Sequence, residues 1–183
     1  EVRRRGQTVY LPDGAVPLHP PVLSEGAASL LPDGPRPAVL WTIDLDATGE
    51  RTAVTVERAV VQSRAQLDYG GVQAELDGGR PLPEAIALLP TVGRLRRELA
   101  VERGAVELEL PEQEVVPDGA GGWTVRARVR VDVDTWNAEI SLLTGTAAAS
   151  LMLDAGVGVL RTLPAPDADA VEAFRAVAAA LGV

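Results

Sequence analysis

Two pairs of aspartates stand two residues apart on expected strands, Asp44 with Asp46 and Asp132 with Asp134. On a strand, that spacing puts both carboxylates of a pair on one face, the least that a hard cation such as Mg2+ requires. A strand's solvent face beside a turn gives the same spacing, so neither pair is assigned as a metal site. His19 is the single histidine and cysteine is absent, which leaves no zinc set, nucleophilic triad or disulfide framework to build. Serines and threonines are scattered without a nucleophile elbow, and no phosphate-binding or dinucleotide glycine pattern is present.

Arginine is the other group able to do chemistry. All 17 basic residues are arginine, whose planar fork suits phosphate, although a composition that replaces lysine by arginine produces the same count. The net charge of −9 argues against a general phosphate-binding surface, because nucleic-acid affinity rests largely on cations neutralising phosphates. Arg126, Arg128 and Arg130 alternate with apolar residues and form the one strand face with three aligned cations. Arg94, Arg96, Arg97 and Arg103 fall on a helix with Glu98 and read as a solvated, salt-bridged face.

The elements that carry these residues follow from periodicity. Residues 11 to 37 are dense in proline and glycine and predict turns and extended chain. Ala38 to Asp46 and Arg51 to Leu67 are rich in β-branched and aliphatic residues, and Asp46-Ala47-Thr48-Gly49 has turn chemistry, which predicts an antiparallel hairpin. Leu88, Val92, Leu95 and Leu99 give a helical period over Pro83 to Glu102, with Gly104 as its stop. A second hairpin is expected from Ala105–Val116 and Trp123–Val133 around Pro117 to Gly122. Two helices close the chain, Thr135 to Leu153 and one through Leu181 that Asp169 and Glu172 would cap.

At 183 residues the chain suits one domain, and its core must come from aliphatic side chains because aromatics make up only 3%. No apolar run reaches the length needed to span a bilayer, and Glu1 to Tyr10 is charged rather than signal-like. The chain is therefore read as soluble and cytoplasmic, with no membrane association and no identifiable protein partner.

Arg4-Arg5-Gly6-Gln7-Thr8-Val9-Tyr10-Leu11-Pro12, then Val16-Pro17-Leu18-His19-Pro20, Leu23-Ser24-Glu25-Gly26 and Ser29-Leu30-Leu31-Pro32 form one ordered sentence. It resembles the stretch that follows the acidic catalytic cluster in RNB-domain exoribonucleases, the RNase II and RNase R family. Ser63-Arg64-Ala65-Gln66-Leu67-Asp68-Tyr69 resembles the end of that family's second hairpin strand, and Trp136-Asn137-Ala138-Glu139 to Ala149 resembles its long helix near the active site. Gly145 stands where that helix usually carries Asn, and His19 stands where the proline-rich loop usually carries an apolar residue.

The resemblance implies an α+β fold: part of the RNB catalytic domain over residues 1–183, with antiparallel hairpins on a sheet and helices packed on one side. It implies 3′-to-5′ hydrolysis of single-stranded RNA with Mg2+ held by several aspartates. Those aspartates would precede Glu1 and an assisting arginine motif would follow Val183, so no catalytic or metal residue is assigned within the chain, and this fragment is expected to be inactive and metal-free alone. Three RNA-binding positions fall inside. Tyr10 matches the aromatic that stacks a nucleotide near the 3′ end, and Tyr69 and Glu139 match positions that contact sugar and backbone and favour RNA over DNA. The alternative is a non-catalytic RNA-binding or interaction protein that keeps the RNB scaffold.

Overall fold

The computed structural model describes residues 2–11, 13–31, 34–106, 112–160, 162 and 164–182. The chain divides into two compact units, Glu1–Ala147 and Ala148–Val183.

The first unit opens with a short helix α1 (Val2–Arg5) and a small hairpin, β1 (Val9–Leu11) with β2 (Gly14–Val16). After a π-helical turn at Val22–Ala27 comes the long hairpin β3 (Arg36–Leu45) with β4 (Arg51–Val61). Helix α2 (Tyr69–Asp77), a 3-10 turn at Glu84–Ile86 and helix α3 (Leu89–Glu102) follow. Strands β5 (Glu112–Pro117) and β6 (Trp123–Arg128) form the next hairpin, and α4 (Asp132–Ala155) runs on past the unit boundary. Helices and antiparallel hairpins thus appear as expected, while among the described residues each hairpin is a separate two-stranded sheet.

The turn residues account for the two larger hairpins. Asp46 accepts hydrogen bonds at one carboxylate oxygen from the Thr48 amide (2.9 Å), the Thr48 hydroxyl (2.7 Å) and the Glu50 amide (3.0 Å). Gly49 completes this turn at φ +85°, a conformation that a Cβ would disfavour. Asp118 plays the same part between β5 and β6, accepting from the amides of Ala120 (2.8 Å) and Gly122 (2.9 Å).

The predicted second hairpin is shorter than its alternating pattern suggests, and residues 107–111 of its outgoing half lie outside the described residues. Strand β6 stops at Arg128, and Asp132 and Asp134 stand in the first turn of α4 rather than on a strand. The cause is local: the Asp134 carboxylate accepts from the Val131 amide at 3.0 Å, satisfying a helix-start donor. The predicted helix from Pro83 is also divided, since Pro90 sits in the first turn of α3, where its missing N–H does no harm.

The core of this unit gathers where α2, α3 and α4 meet. Val72, Val133 and Trp136 are buried together, with Leu76, Leu82, Ile86, Leu89 and Val131 packed around them. Gly93 of α3 lies directly under the Trp136 ring; a Cβ there would come 2.2 Å from Trp136 Cγ. A helix interior ordinarily disfavours glycine by about 1 kcal/mol, so this one is explained by close approach.

In the second unit, helix α5 (Ala168–Leu181) begins at Asp167, which accepts from the Ala170 amide at 2.7 Å. The cap therefore falls two residues before the expected Asp169, and Gly182 ends the helix at φ +74°. Among the described residues, no helix is long and apolar enough to cross a membrane.

Candidate functional site

Tyr10 stands opposite Ala15 in the β1–β2 ladder, and its side chain is 81% exposed. The ring is therefore not a packing element over the proline-rich loop; it offers its face to solvent. An exposed ring on a short hairpin can stack on any nucleobase, since every base has a π-face. The hairpin is steadied by the Leu18 amide, which donates to the Thr8 hydroxyl at 3.1 Å, and neighbouring His19 is exposed.

Tyr69 does not end a strand. Strand β4 stops at Val61, and Tyr69 is the first residue of α2. Asp68 caps that helix by accepting from the Gly71 amide at 2.8 Å, a strong N-terminal signal that the Gly70-Gly71 pair obscures in the sequence. Tyr69 is 41% exposed, and its phenol oxygen accepts a hydrogen bond from Asn137 Nδ2 of α4 at 2.9 Å. One turn further along α2, Gln73 Oε1 accepts from the Val133 amide at 3.3 Å. These two polar contacts run antiparallel along the helices and flank the buried Val72. Asn137 and Gln73 were not picked out by sequence reasoning, because nothing in the local pattern announces a side chain that reaches across sixty residues or more.

Glu139 is half-buried on α4. It follows Asn137 by two residues, about 200° around a helix, so it does not share the face that meets Tyr69. Among the described residues, no hydrogen bond joins Tyr10 or Glu139 to Tyr69. The structure brings Tyr69 to α4 and leaves Tyr10 on its own hairpin.

Each of the three aligned arginines has a carboxylate partner. Arg126 pairs with Glu114 (3.3 Å), Arg128 with Glu112 (2.7 Å) and Asp134, and Arg130 with Glu112 (3.3 Å). Hydrogen bonds from Arg128 and then Arg130 hold the Glu112 carboxyl below its ordinary range, and Glu112 in turn raises Arg128. The opposing strand β5 has thus supplied the counter-charge, and the network fastens β6 to the start of α4 through Asp134. Arg96 departs from the expected solvated face altogether: it is 5% exposed and donates to the Gly49 carbonyl at 2.9 Å, with Glu50 Oε2 at 3.5 Å.

One member of each aspartate pair also has structural employment. The Thr48 hydroxyl, followed by the Thr48 amide, holds Asp46 below the ordinary carboxylate range, and Asp134 is taken by Arg128 and the Val131 amide. Among the described residues, no three His, Cys, Asp or Glu side chains are grouped to hold a metal ion. The described carboxylates are not gathered as a magnesium cluster would need.

Comparison with known proteins agrees with this architecture. Residues 1–181 match the family described as the RNB domain. Ribonuclease R of Vibrio cholerae is 31% identical over the whole chain, and ribonuclease R of Escherichia coli is 29% identical. The exosome complex exonuclease RRP44 homolog A of Arabidopsis thaliana is 27% identical over the whole chain. The chain spans 23%, 24% and 20% of these three relatives. Among solved structures, Mycoplasma genitalium RNase R in complex with ribose methylated single-stranded RNA superposes with a TM-score of 0.87 at 20% identity, covering 100% of this chain and 30% of that one. The same protein in complex with double-stranded RNA gives 0.87 over 99% of this chain and 34% of that one. With the family matched from residue 1 to residue 181, this chain belongs to the RNB domain family.

Proposed function

We propose that the chain is a central piece of the catalytic domain of a cytoplasmic 3′-to-5′ exoribonuclease acting on single-stranded RNA. The match of residues 1–181 to the RNB domain carries this reading, and the relatives' names, ribonuclease R and exosome complex exonuclease, support a nuclease that acts on RNA. Tyr10 is the nucleotide-stacking ring, and Tyr69 and Glu139 belong to the contacts with sugar and backbone. Phosphoryl transfer of this kind needs several carboxylates and a cationic stabiliser around one phosphate. On this reading the magnesium-holding aspartates precede Glu1 and the arginine motif follows Val183, in the longer protein. No step is assigned to the carboxylates described here.

Two outcomes follow. The isolated 183-residue chain should leave a single-stranded oligoadenylate intact in Mg2+ or Mn2+, read on a denaturing gel. Chelator-sensitive shortening from the 3′ end by the chain alone would contradict the placement of the carboxylates. In the full-length protein, Tyr10→Ala should lengthen the final product while long RNA is degraded at nearly the original rate. Stacking contributes about 1 to 3 kcal/mol per base, which matters once an RNA is too short to be gripped elsewhere. Unchanged product length with full activity would remove Tyr10 from the site, and loss of cleavage on long and short RNA alike would make the ring structural.

A further inference from the structure

We propose that Asn137 is a positioning residue for Tyr69, setting the phenol as a hydrogen-bond donor toward a ribose 2′-hydroxyl. The inference rests on the reading of Tyr69 as a sugar contact and adds to it the polarity of that contact and the residue that fixes it.

A phenol oxygen carries one proton and accepts through its lone pairs. Here an accepting position is filled from α4 by Asn137 Nδ2 at 2.9 Å. The phenol's own proton must therefore turn away from Asn137. Among the described residues no acceptor takes it, and with the ring 41% exposed it is presented outward. Solvent can accept it there, and an oxygen of a bound ligand can take the place of that water. A ribose offers one at its 2′ position and a deoxyribose does not.

The two helices make the geometry dependable. Asp68 caps α2 one residue before Tyr69, the Gln73–Val133 contact ties α2 to α4 one turn away, and Val72, Val133 and Trp136 are buried together. Asn137 itself is exposed, so it can be exchanged without disturbing that core. The polarity depends on the amide: a carboxylate in its place would accept the phenol proton and leave Tyr69 only lone pairs to offer.

The test uses the full-length protein and two probes, a short oligoadenylate and the same oligomer with one 2′-deoxy substitution near its 3′ end. The quantity read is the ribose-over-deoxyribose ratio of kcat/KM. Tyr69→Phe and Asn137→Asp should each lower that ratio by about fivefold, the worth of one neutral hydrogen bond. Asn137→Gln, which keeps an NH2 donor, should restore most of it, and Asn137→Asp should cost nothing further in the Tyr69→Phe background. That last comparison separates polarity from the added negative charge, which would act on both probes. Should Asn137→Asp fail to fold, Asn137→Ala, which releases the phenol to rotate, should still lower the ratio in the presence of Tyr69 and not in its absence. If Tyr69→Phe leaves the ratio unchanged, the reading of Tyr69 as a sugar contact fails. If Tyr69→Phe lowers the ratio while Asn137→Asp and Asn137→Ala do not, that reading stands and the role of Asn137 is overturned.

Discussion

Gly93→Ala should lower the thermal midpoint of the protein by about 4 to 8 °C, the shift that about 2 kcal/mol produces in a chain of this size. Two effects compete at this position. Alanine is the better helix former, worth about 1 kcal/mol in a helix interior. Against that, the new Cβ would lie within 2.2 to 2.4 Å of Trp136 Cγ, Cδ1 and Cβ. These atoms belong to the root and ring of a buried side chain rather than to a flexible tip, so α3 and α4 must separate or Trp136 must leave its rotamer. Overpacking of this kind costs about 3 kcal/mol, and sterics wins by about 2. Pairing Gly93→Ala with Trp136→Leu should cost less than the sum of the two single changes, because the second removes the ring that the first strikes. A midpoint at or above that of the unaltered protein would show that the helices do not approach as closely as described.

Arg96→Ala is the other large change expected, with a loss of about 2 kcal/mol in chemical denaturation. The guanidinium donates to the Gly49 carbonyl in a buried setting, and leaving such an acceptor unpaired costs about 1 to 3 kcal/mol. The truncation also removes the aliphatic stem that fills the space between α3 and the hairpin turn. One term runs the other way, because Arg96 Nε is buried without a partner and its desolvation is recovered on removal. The Glu50 carboxylate adds little, being 3.5 Å away and 55% exposed. Arg96→Met should therefore recover roughly half the loss by restoring the stem without the hydrogen bond. Added salt should change the difference between the variants only slightly, since a carbonyl rather than a carboxylate is the main acceptor. If Arg96→Ala were as stable as the original, or if the effect vanished at high salt, the hydrogen bond to Gly49 would not be what anchors the turn.

Both sites show where the sequence could be read and where it could not. The turns were legible because their chemistry is contained in four to six consecutive residues: an aspartate that folds its carboxylate onto the next amides, then a glycine at positive φ. The helical period of α3 was legible for the same reason, and so was the family resemblance over the whole chain. The alternation through Val129 to Val133 misled, since a strand pattern continues where Asp134 reaches back to the Val131 amide and starts a helix instead. Gly70 and Gly71 hid α2 although its cap, Asp68, was in plain view. Arg96, Gly93 and Asn137 were beyond reach for a different cause: their roles are set by Gly49, Trp136 and Tyr69, which stand far from them in sequence. An arginine between Leu95 and Arg97 on an amphipathic helix looks like a surface residue until the hairpin is placed against it.

The pairing of strands only with their immediate successors bears on the order in which the chain acquires its structure. Closing a short turn costs little chain entropy, so each two-stranded ladder can form early and by itself. The contacts that fasten them and the helices together span much longer stretches, 47 residues from Arg96 to Gly49, 60 from Gln73 to Val133 and 68 from Tyr69 to Asn137. Those contacts are the last to be made on this account, and the hydrogen-bonded pair of Tyr69 and Asn137 spans the longest interval of the three. The part of the protein proposed to sense the sugar would then be completed only after the scaffold beneath it has closed.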